Sequence, residues 1–368
     1  MIRKNEIIRI YGTEFKENTI TLLKEAELAS LIPSKTARIG IKPSLVSAYP
    51  ASNGGTTHPE VIAGIIEYLQ GEGFKNLVIA EGSWVGDRTS EAFEVCGYND
   101  LSRRYGVPLI DGQKERTHVR DCHGMKLHVC NCVNDIDFLV NVPVLKGHCQ
   151  TQVTCALKNL KGLLPNNEKR HFHSMGLHKP IAHLSAGIRQ DFIVIDHICG
   201  DPDFEDGGHP LVRNCVMAAL DPVLTDTLVC KLLHVDPEDV PYIPMAASFG
   251  VGSMDLDHAI LRTIGEEQYD ELPGNRKIVE LKDSVHEIDS CSACYGYLIP
   301  ALQRLKEEGL FTPETFPEKI CIGQGWRGKT GVLGVGNCTS GFTHCIKGCP
   351  PTDTEIYEYL KEYIFERR

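Results

Sequence analysis

"THPEVIAGIIEYLQGEGFKNLVIAEGS" occupies residues 57–83. Thr57 is a candidate helix cap, Pro59 suits a first helical turn, and Val61, Ile65, Tyr68 and Leu69 share one side before Gly71 and Gly73 stop the run. The apolar "NLVIAEGS" that follows reads as a buried parallel strand, and so does "ARIGIKPSL" at residues 37–45 upstream. The unit is strand, helix, strand. "DFLVNVPVLKGH" (137–148) and "DFIVIDHICGDP" (191–202) repeat the same kind of run. This alternation predicts an α/β fold with an open, mostly parallel sheet and helices on both faces.

Ligands of such sheets sit beyond the carboxyl ends of the strands. That rule directs attention to Lys42, Ser44, Glu81, Ser83, Lys146, His148, Asp196 and Asp201. Residues 214–243 read as helical, with a new helix starting at Asp221-Pro222. From Ser284 the composition shifts toward cysteine and glycine, and the chain ends in an amphipathic stretch from Asp353. The expected division is an α/β body over 1–283 and a small C-terminal cysteine-rich module over 284–368.

The formal charge of -11, from 38 basic and 49 acidic residues, carries no long basic block and argues against nucleic acid as a partner. The first residues are broken by Arg9 and turn polar, and no apolar run approaches the length of a membrane span. A cytoplasmic protein with no membrane partner is expected. Fifteen cysteines then require an explanation other than disulfides. Cys96, Cys199, Cys215 and Cys230 lie in apolar surroundings and read as small core residues, and His128, Cys130 and Cys132 read as part of a half-buried strand.

Between residues 291 and 349 the cysteines change character: Cys291-x-x-Cys294, Cys321, Cys338, Cys345 and Cys349-Pro350. A close pair completed by distant thiolates makes a four-sulfur site for a metal centre, and proline after the last cysteine resembles ferredoxin runs. The leading expectation is a 4Fe-4S cluster on Cys291, Cys294, Cys338 and Cys349. Cys345 competes for the place of Cys338 or Cys349, Cys321 suits a core role, and zinc or unligated thiols are the alternatives. The same region contains Gly323-x-x-x-x-Gly328-Lys329-Thr330, which matches a phosphate loop in its letters. Such a loop must open a helix, whereas "GVLGVGNC" follows, so nucleotide binding is not expected.

"VLKGHCQTQVTCALKNLKGLLP" places Lys158 and Lys161 three apart, on one face of a predicted helix, as a carboxylate or phosphate holder together with Lys42 and Lys146. His58, His148, His171 and His178 are the candidates for proton transfer near neutral pH. Arg327 and Lys329 would add positive charge if the glycine-rich stretch forms a lid beside the cluster.

These stretches, above all the "LK-x-H … T-x-x-x-K-N-x-K-G" pattern from Leu145 to Gly162, resemble the domain-of-unknown-function family 362 over residues 40 to about 265. Members of that family often carry ferredoxin-like cysteines at the C-terminal end, and this tail is similar to an iron-sulfur variant. It has only one Cys-x-x-Cys pair, which implies one cluster. The family is also distantly similar to the N-terminal part of lactate racemase, which implies a small hydroxy-acid or carboxylate ligand. The functional expectation is an iron-sulfur oxidoreductase acting on a small anionic substrate, with a ferredoxin or flavoprotein as redox partner. A non-redox isomerase or lyase, with the cluster as Lewis acid or staple, and a non-enzymatic electron carrier are the alternatives.

Overall fold

Strands covered on both faces are mostly apolar, and Ile39–Pro43 is buried along its whole length, with Lys42 its one charged residue. In the computed structural model, which describes residues 1–266, 281–312 and 314–367, this segment is near the middle of a sheet. The strands of the first part of the chain are β1 (Glu6–Tyr11), β2 (Ile39–Pro43), β3 (Leu77–Glu81), β4 (Leu109–Asp111), β5 (Thr117–Cys122), β6 (Met125–Cys130), β7 (Phe138–Val142), β8 (Lys146–His148), β9 (Gln152–Thr154), β10 (Phe192–Gly200), β11 (Leu211–Ala219) and β12 (Ile260–Ile264). Eight of them form one sheet in the order β12-β1-β11-β10-β7-β2-β3-β4. Only β11 runs antiparallel to its neighbours, so the sheet is mostly parallel, as the sequence pattern predicts.

Alternation along the strands divides the apolar side chains between two faces. Ile39, Ile41, Val140, Val142, Phe192 and Val194 join the helices Phe15–Ala26 and Pro59–Gly71 in one core cluster. Leu139, Ile193, Ile195 and Met217 point the other way and are also buried, and the helix Ala156–Asn159 packs on β7. Each such side chain contributes about 1.5–3 kcal/mol on burial.

Three local readings are corrected. Thr57 does not cap the helix Pro59–Gly71: His58 precedes it, and the Thr57 hydroxyl donates to Val142 O at 2.8 Å while accepting from Ser44 N. Residues 214–219 are the end of strand β11, because Cys215–Ala219 is a continuously buried run with no polar side for a helix to expose. The helix starts only at Pro222, where the Asp221 carboxylate accepts from Val223 N and Leu224 N, both at 2.9 Å. β6 stops at Cys130, and Cys132 opens a short helix, so His128, Cys130 and Cys132 do not share one strand face.

β8 and β9 form a separate antiparallel hairpin. The strand β8 passes so close to Pro202 that a Cβ at position 147 would overlap the Pro202 carbonyl oxygen, and Gly147 N donates to Asp201 O at 2.7 Å. Only glycine fits there.

The chain divides into two compact units, Met1–Lys169 with His178–Gly274, and Arg170–Leu177 with Asn275–Arg368. In the second unit, β13 (Val285–Glu287), β14 (Ile320–Ile322), β15 (Leu333–Val335) and β16 (His344–Ile346) make a small all-parallel sheet in sequence order. The helices Ser292–Glu307 and Asp353–Glu366 pack on each other, the latter opened by a reciprocal Thr352–Glu355 capping box. After Thr330 the chain enters β15 and not a helix, so the phosphate-loop letters lack their structural context.

The Asp221 carboxylate also accepts from Ser253 N at 2.9 Å, pinning the loop beyond the helix. Asp221→Ala should therefore lower unfolding stability by about 2 kcal/mol, the upper end for a lost helix cap. Urea unfolding monitored by circular dichroism checks this.

Candidate functional site

The carboxyl ends of β2 and β3 place Lys42 and Glu81 side by side. Lys42 Nζ donates to Glu81 Oε2 at 2.6 Å, to Pro43 O at 2.6 Å and to Asn159 Oδ1 at 3.4 Å. Those three acceptors use its three N–H donors, so Lys42 holds the strand ends together instead of offering a proton to a ligand. Burial pushes its pKa down and the Glu81 charge opposes the shift. Glu81 also accepts from Leu45 N at 3.0 Å and Gly82 N at 2.7 Å. Gly162 closes over the pair, and any side chain there would overlap both charged groups. Lys169, which the sequence reading passed over, donates to Gly82 O and Ser83 O at 2.8 and 2.7 Å, and burial pushes it down to about 8.

The β8–β9 hairpin supplies the next groups. Lys146 is buried with its ammonium on Gly55 O and 3.5 Å from Ser44 Oγ. Burial, then the neighbouring Lys158 charge, push it down to about 7, against the pull of Glu205. Such an amine is suited to exchange protons near neutral pH. Buried His148 accepts from Gln150 N at 2.9 Å and Thr151 N at 3.2 Å on Nδ1, and its Nε2 meets Glu205 Oε2. Lys158 Nζ reaches the same carboxylate oxygen at 3.4 Å.

His148, Cys149 and Glu205 bring ligand atoms within 4.8 Å of one another, the spacing of a single-ion site. The two N–H groups on Nδ1 keep the ring proton on Nε2, facing Glu205, so the ring donates to the carboxylate. Lys158 lies in the α-helix Ala156–Asn159 and Lys161 in the 3-10 turn Leu160–Leu163 that continues it; Lys158 is buried and Lys161 partly exposed.

Midway along β10, Asp196 accepts from His58 N at 2.7 Å through Oδ2 and lies 2.9 Å from His58 Nδ1 through the same oxygen. Burial opposes a charge on His58, but Asp196 outweighs it by charge and hydrogen bond, with help from Cys199, and pushes the imidazole up to about 10. Cys199 Sγ is 3.7 Å from His58 Nε2.

The second unit gathers thiols where its strands end. Cys291 and Cys294 follow β13, Cys338 follows β15 and Cys349 follows β16. Burial pushes the Cys294 thiol far up, and Cys291, Cys349 and Cys338 each add to the rise, so the four sit within electrostatic reach of one another. Arg327, from the turn after β14, donates from Nε to Cys338 Sγ at 3.5 Å, and Gln324 Nε2 approaches Cys291 Sγ at 3.8 Å. Lys329 lies over the Trp326 ring. Arg170, in the short segment that belongs to this unit, acts on the Cys291 thiol. A Cβ at Gly336 would come to 3.4 Å from Cys294 Sγ. Cys321 and Cys345 lie inside strands, and Cys345 Sγ pairs with Thr339 Oγ1 at 3.3 Å.

The proposed proton-transfer histidines therefore separate. His58 and His148 stand at the strand ends, His178 stacks on Tyr242 with ring centres 5.7 Å apart, and His171 is exposed in the segment assigned to the second unit. Sequence reasoning missed Lys169 and Glu205 and took Cys199 only for a core residue. A signal for Glu205 exists in "GDPDFED", an acidic loop directly after a buried strand.

A histidine whose folded pKa is raised from 6.5 to about 10 stabilises the fold fully below the unfolded value and loses that contribution as pH rises toward the folded one. The stability difference between the wild type and His58→Gln should be largest near about pH 6 and shrink steadily up to about pH 10. Denaturant unfolding of both proteins across that range measures it; a constant difference refutes the His58–Asp196 charge pairing.

A thylakoid-associated protein of Synechocystis is 24% identical over 222 residues, covering 58% of this chain and 68% of its own length. The solved structure of the lactate racemase apoprotein from Thermoanaerobacterium thermosaccharolyticum aligns with a TM-score of 0.41 and 15% identity, over 63% of this chain and 58% of that one. Among the described residues no helix is long and apolar enough to cross a membrane. Residues 39–231, which carry all the strand-end groups described above for the first unit, match the family described as "Domain of unknown function (DUF362)", and the chain belongs to that family.

Proposed function

We propose that this protein is a 4Fe-4S oxidoreductase that acts on a small carboxylate or phosphate at the strand ends of its α/β unit. The observation that carries the cluster is the convergence of Cys291, Cys294, Cys338 and Cys349 at the carboxyl ends of parallel strands, with Cys321 and Cys345 held within strands. Four thiolates of this kind suit an iron-sulfur cube, which supplies one-electron transfer when bound. Arg327 and Arg170 offset the negative charge of four thiolates, and Gly336 lets backbone approach the sulfur of Cys294. In the α/β unit, Lys146 and Lys158 supply positive charge for an anion, and His58, His148 and Lys146 are placed to hold or move protons. The electron donor or acceptor is of the ferredoxin or flavoprotein class, and the protein works in the cytoplasm.

A second reading is favoured by Lys146, whose pKa near 7 serves proton transfer without redox change: an isomerase or lyase in which the cysteine site staples the tail. Anaerobic purification separates the possibilities. The protein should carry roughly four iron and four sulfide per chain, with broad absorption near about 400 nm that dithionite bleaches. Cys338→Ser should lose most of it and Cys345→Ser should keep it. A preparation with zinc or no metal overturns the cluster, and a cluster that no reductant bleaches favours the non-redox reading.

A further inference from the structure

Cys199 is the residue whose surroundings fit a core role least. It lies at the carboxyl end of β10, one residue before the end of the strand, with Sγ 3.7 Å from His58 Nε2 and 3.4 Å from Ala51 O. The other ring nitrogen of His58 is 2.9 Å from Asp196 Oδ2, and that carboxylate is fixed in turn by the backbone N–H groups of His58 at 2.7 Å and Ile198 at 3.1 Å. The histidine is thus oriented from behind by a carboxylate that cannot turn away, and its free face meets a thiol. His58 directly precedes the helix Pro59–Gly71, whose N-terminal end favours negative charge nearby. Sulfur, imidazole and carboxylate in this order are the arrangement that activates a cysteine nucleophile.

We propose that Cys199, His58 and Asp196 form a nucleophilic triad that adds the Cys199 sulfur to the carbonyl carbon of a small electrophilic substrate. In this step the Cys199 sulfur attacks as the thiolate, paired with the His58 imidazolium that Asp196 stabilises. The Sγ–C bond forms as the carbonyl π pair moves onto oxygen, and His58 Nε2–H donates its proton to that oxygen, leaving the neutral imidazole. The product is a hemithioacetal, and the addition is balanced without an oxidant or co-reactant. Asp196 is a positioning residue. The site is nearly closed, with Cys199 5% and His58 8% exposed, so its substrate must be small. This goes beyond the iron-sulfur reading and does not depend on it.

Cys96 provides an internal control. It is as buried as Cys199, at 4%, but faces Tyr49 O and Thr56 Oγ1 with no imidazole, and burial pushes its thiol up to about 11. The native full-length protein is labelled with iodoacetamide at neutral pH, and each cysteine peptide is followed by mass spectrometry. Cys199 should alkylate at least about tenfold faster than Cys96, and His58→Gln should cut the Cys199 rate by about tenfold while leaving Cys96 unchanged. Acetaldehyde present during labelling should protect Cys199 alone. Equal slow labelling of Cys96 and Cys199 in the wild type overturns the triad, as does a folded His58→Gln variant with the wild-type rate. Labelling without acetaldehyde protection overturns the carbonyl substrate. The wild-type comparison needs no variant to fold, and since none of these peptides contains Cys291, Cys294, Cys338 or Cys349, a negative result leaves the cluster proposal standing.

Discussion

Everything at the strand ends of the α/β unit is arranged around the ion pair between Lys42 and Glu81, both at most 3% exposed. Two charges taken out of water cost several kcal/mol each, and the pair is tolerable because Lys42 uses all three of its donors and Glu81 accepts three hydrogen bonds. Lys42 spends its donors on Glu81, Pro43 O and Asn159; Glu81 spends its acceptors on Lys42, Leu45 N and Gly82 N. Asn159 extends the network by donating to Asn141 Oδ1 at 2.7 Å, and Asn141 donates to Ala156 O and Gln190 Oε1. The ends of β2, β3 and β7 are thereby locked in register with the turn that carries Lys158. Gly162 can pass over this network only because it lacks a side chain. The groups that remain for chemistry, Lys146, His148, Lys158 and His58, stand on a frame that cannot shift without unpairing a buried charge.

This division of labour among similar residue types is where sequence reading reaches its limit. The strands were legible because a strand buried on both faces reads as a mostly apolar run, and β2, β3, β7 and β10 are such runs, interrupted only by Lys42, Glu81, Asn141, Asp196 and His197. The same rule misled at residues 214–219, where apolar residues leading into a helix hide the change from extended to helical backbone. Lys42 and Lys146 look alike in sequence, each a lysine at the end of an apolar segment. What separates them is the partner: a carboxylate 39 residues away for one, a backbone carbonyl and a serine for the other. Glu205 meets His148 across 57 positions of chain, a contact that no local spacing encodes.

For the cysteines of the second unit, proximity in the chain and proximity in space partly coincide. Cys291 and Cys294 stand three apart, at the start of the helix Ser292–Glu307, and any four-sulfur site would draw on such a pair. The choice among the remaining cysteines needs the strands. In a parallel sheet of very short strands, a residue inside a strand points to one face or the other, while a residue just past the end joins the loops that gather at the carboxyl edge. Cys321 and Cys345 fall on the first side of that division and Cys338 and Cys349 on the second.

The same rule reaches into the larger unit. β10 is nine residues long and carries Asp196 and Cys199 three positions apart, with a register irregularity between His197 and Cys199. Regular alternation puts residues an odd number apart on opposite faces of a strand. The irregularity breaks that alternation and lets Asp196 and Cys199 approach the same imidazole. A strand with perfect pairing to β11 would send the thiol away from His58, which is why apolar patterning assigned Cys199 to the core. Where a bulge interrupts a ladder, the side chains on either side of it deserve to be tested against each other and not against the period of the strand.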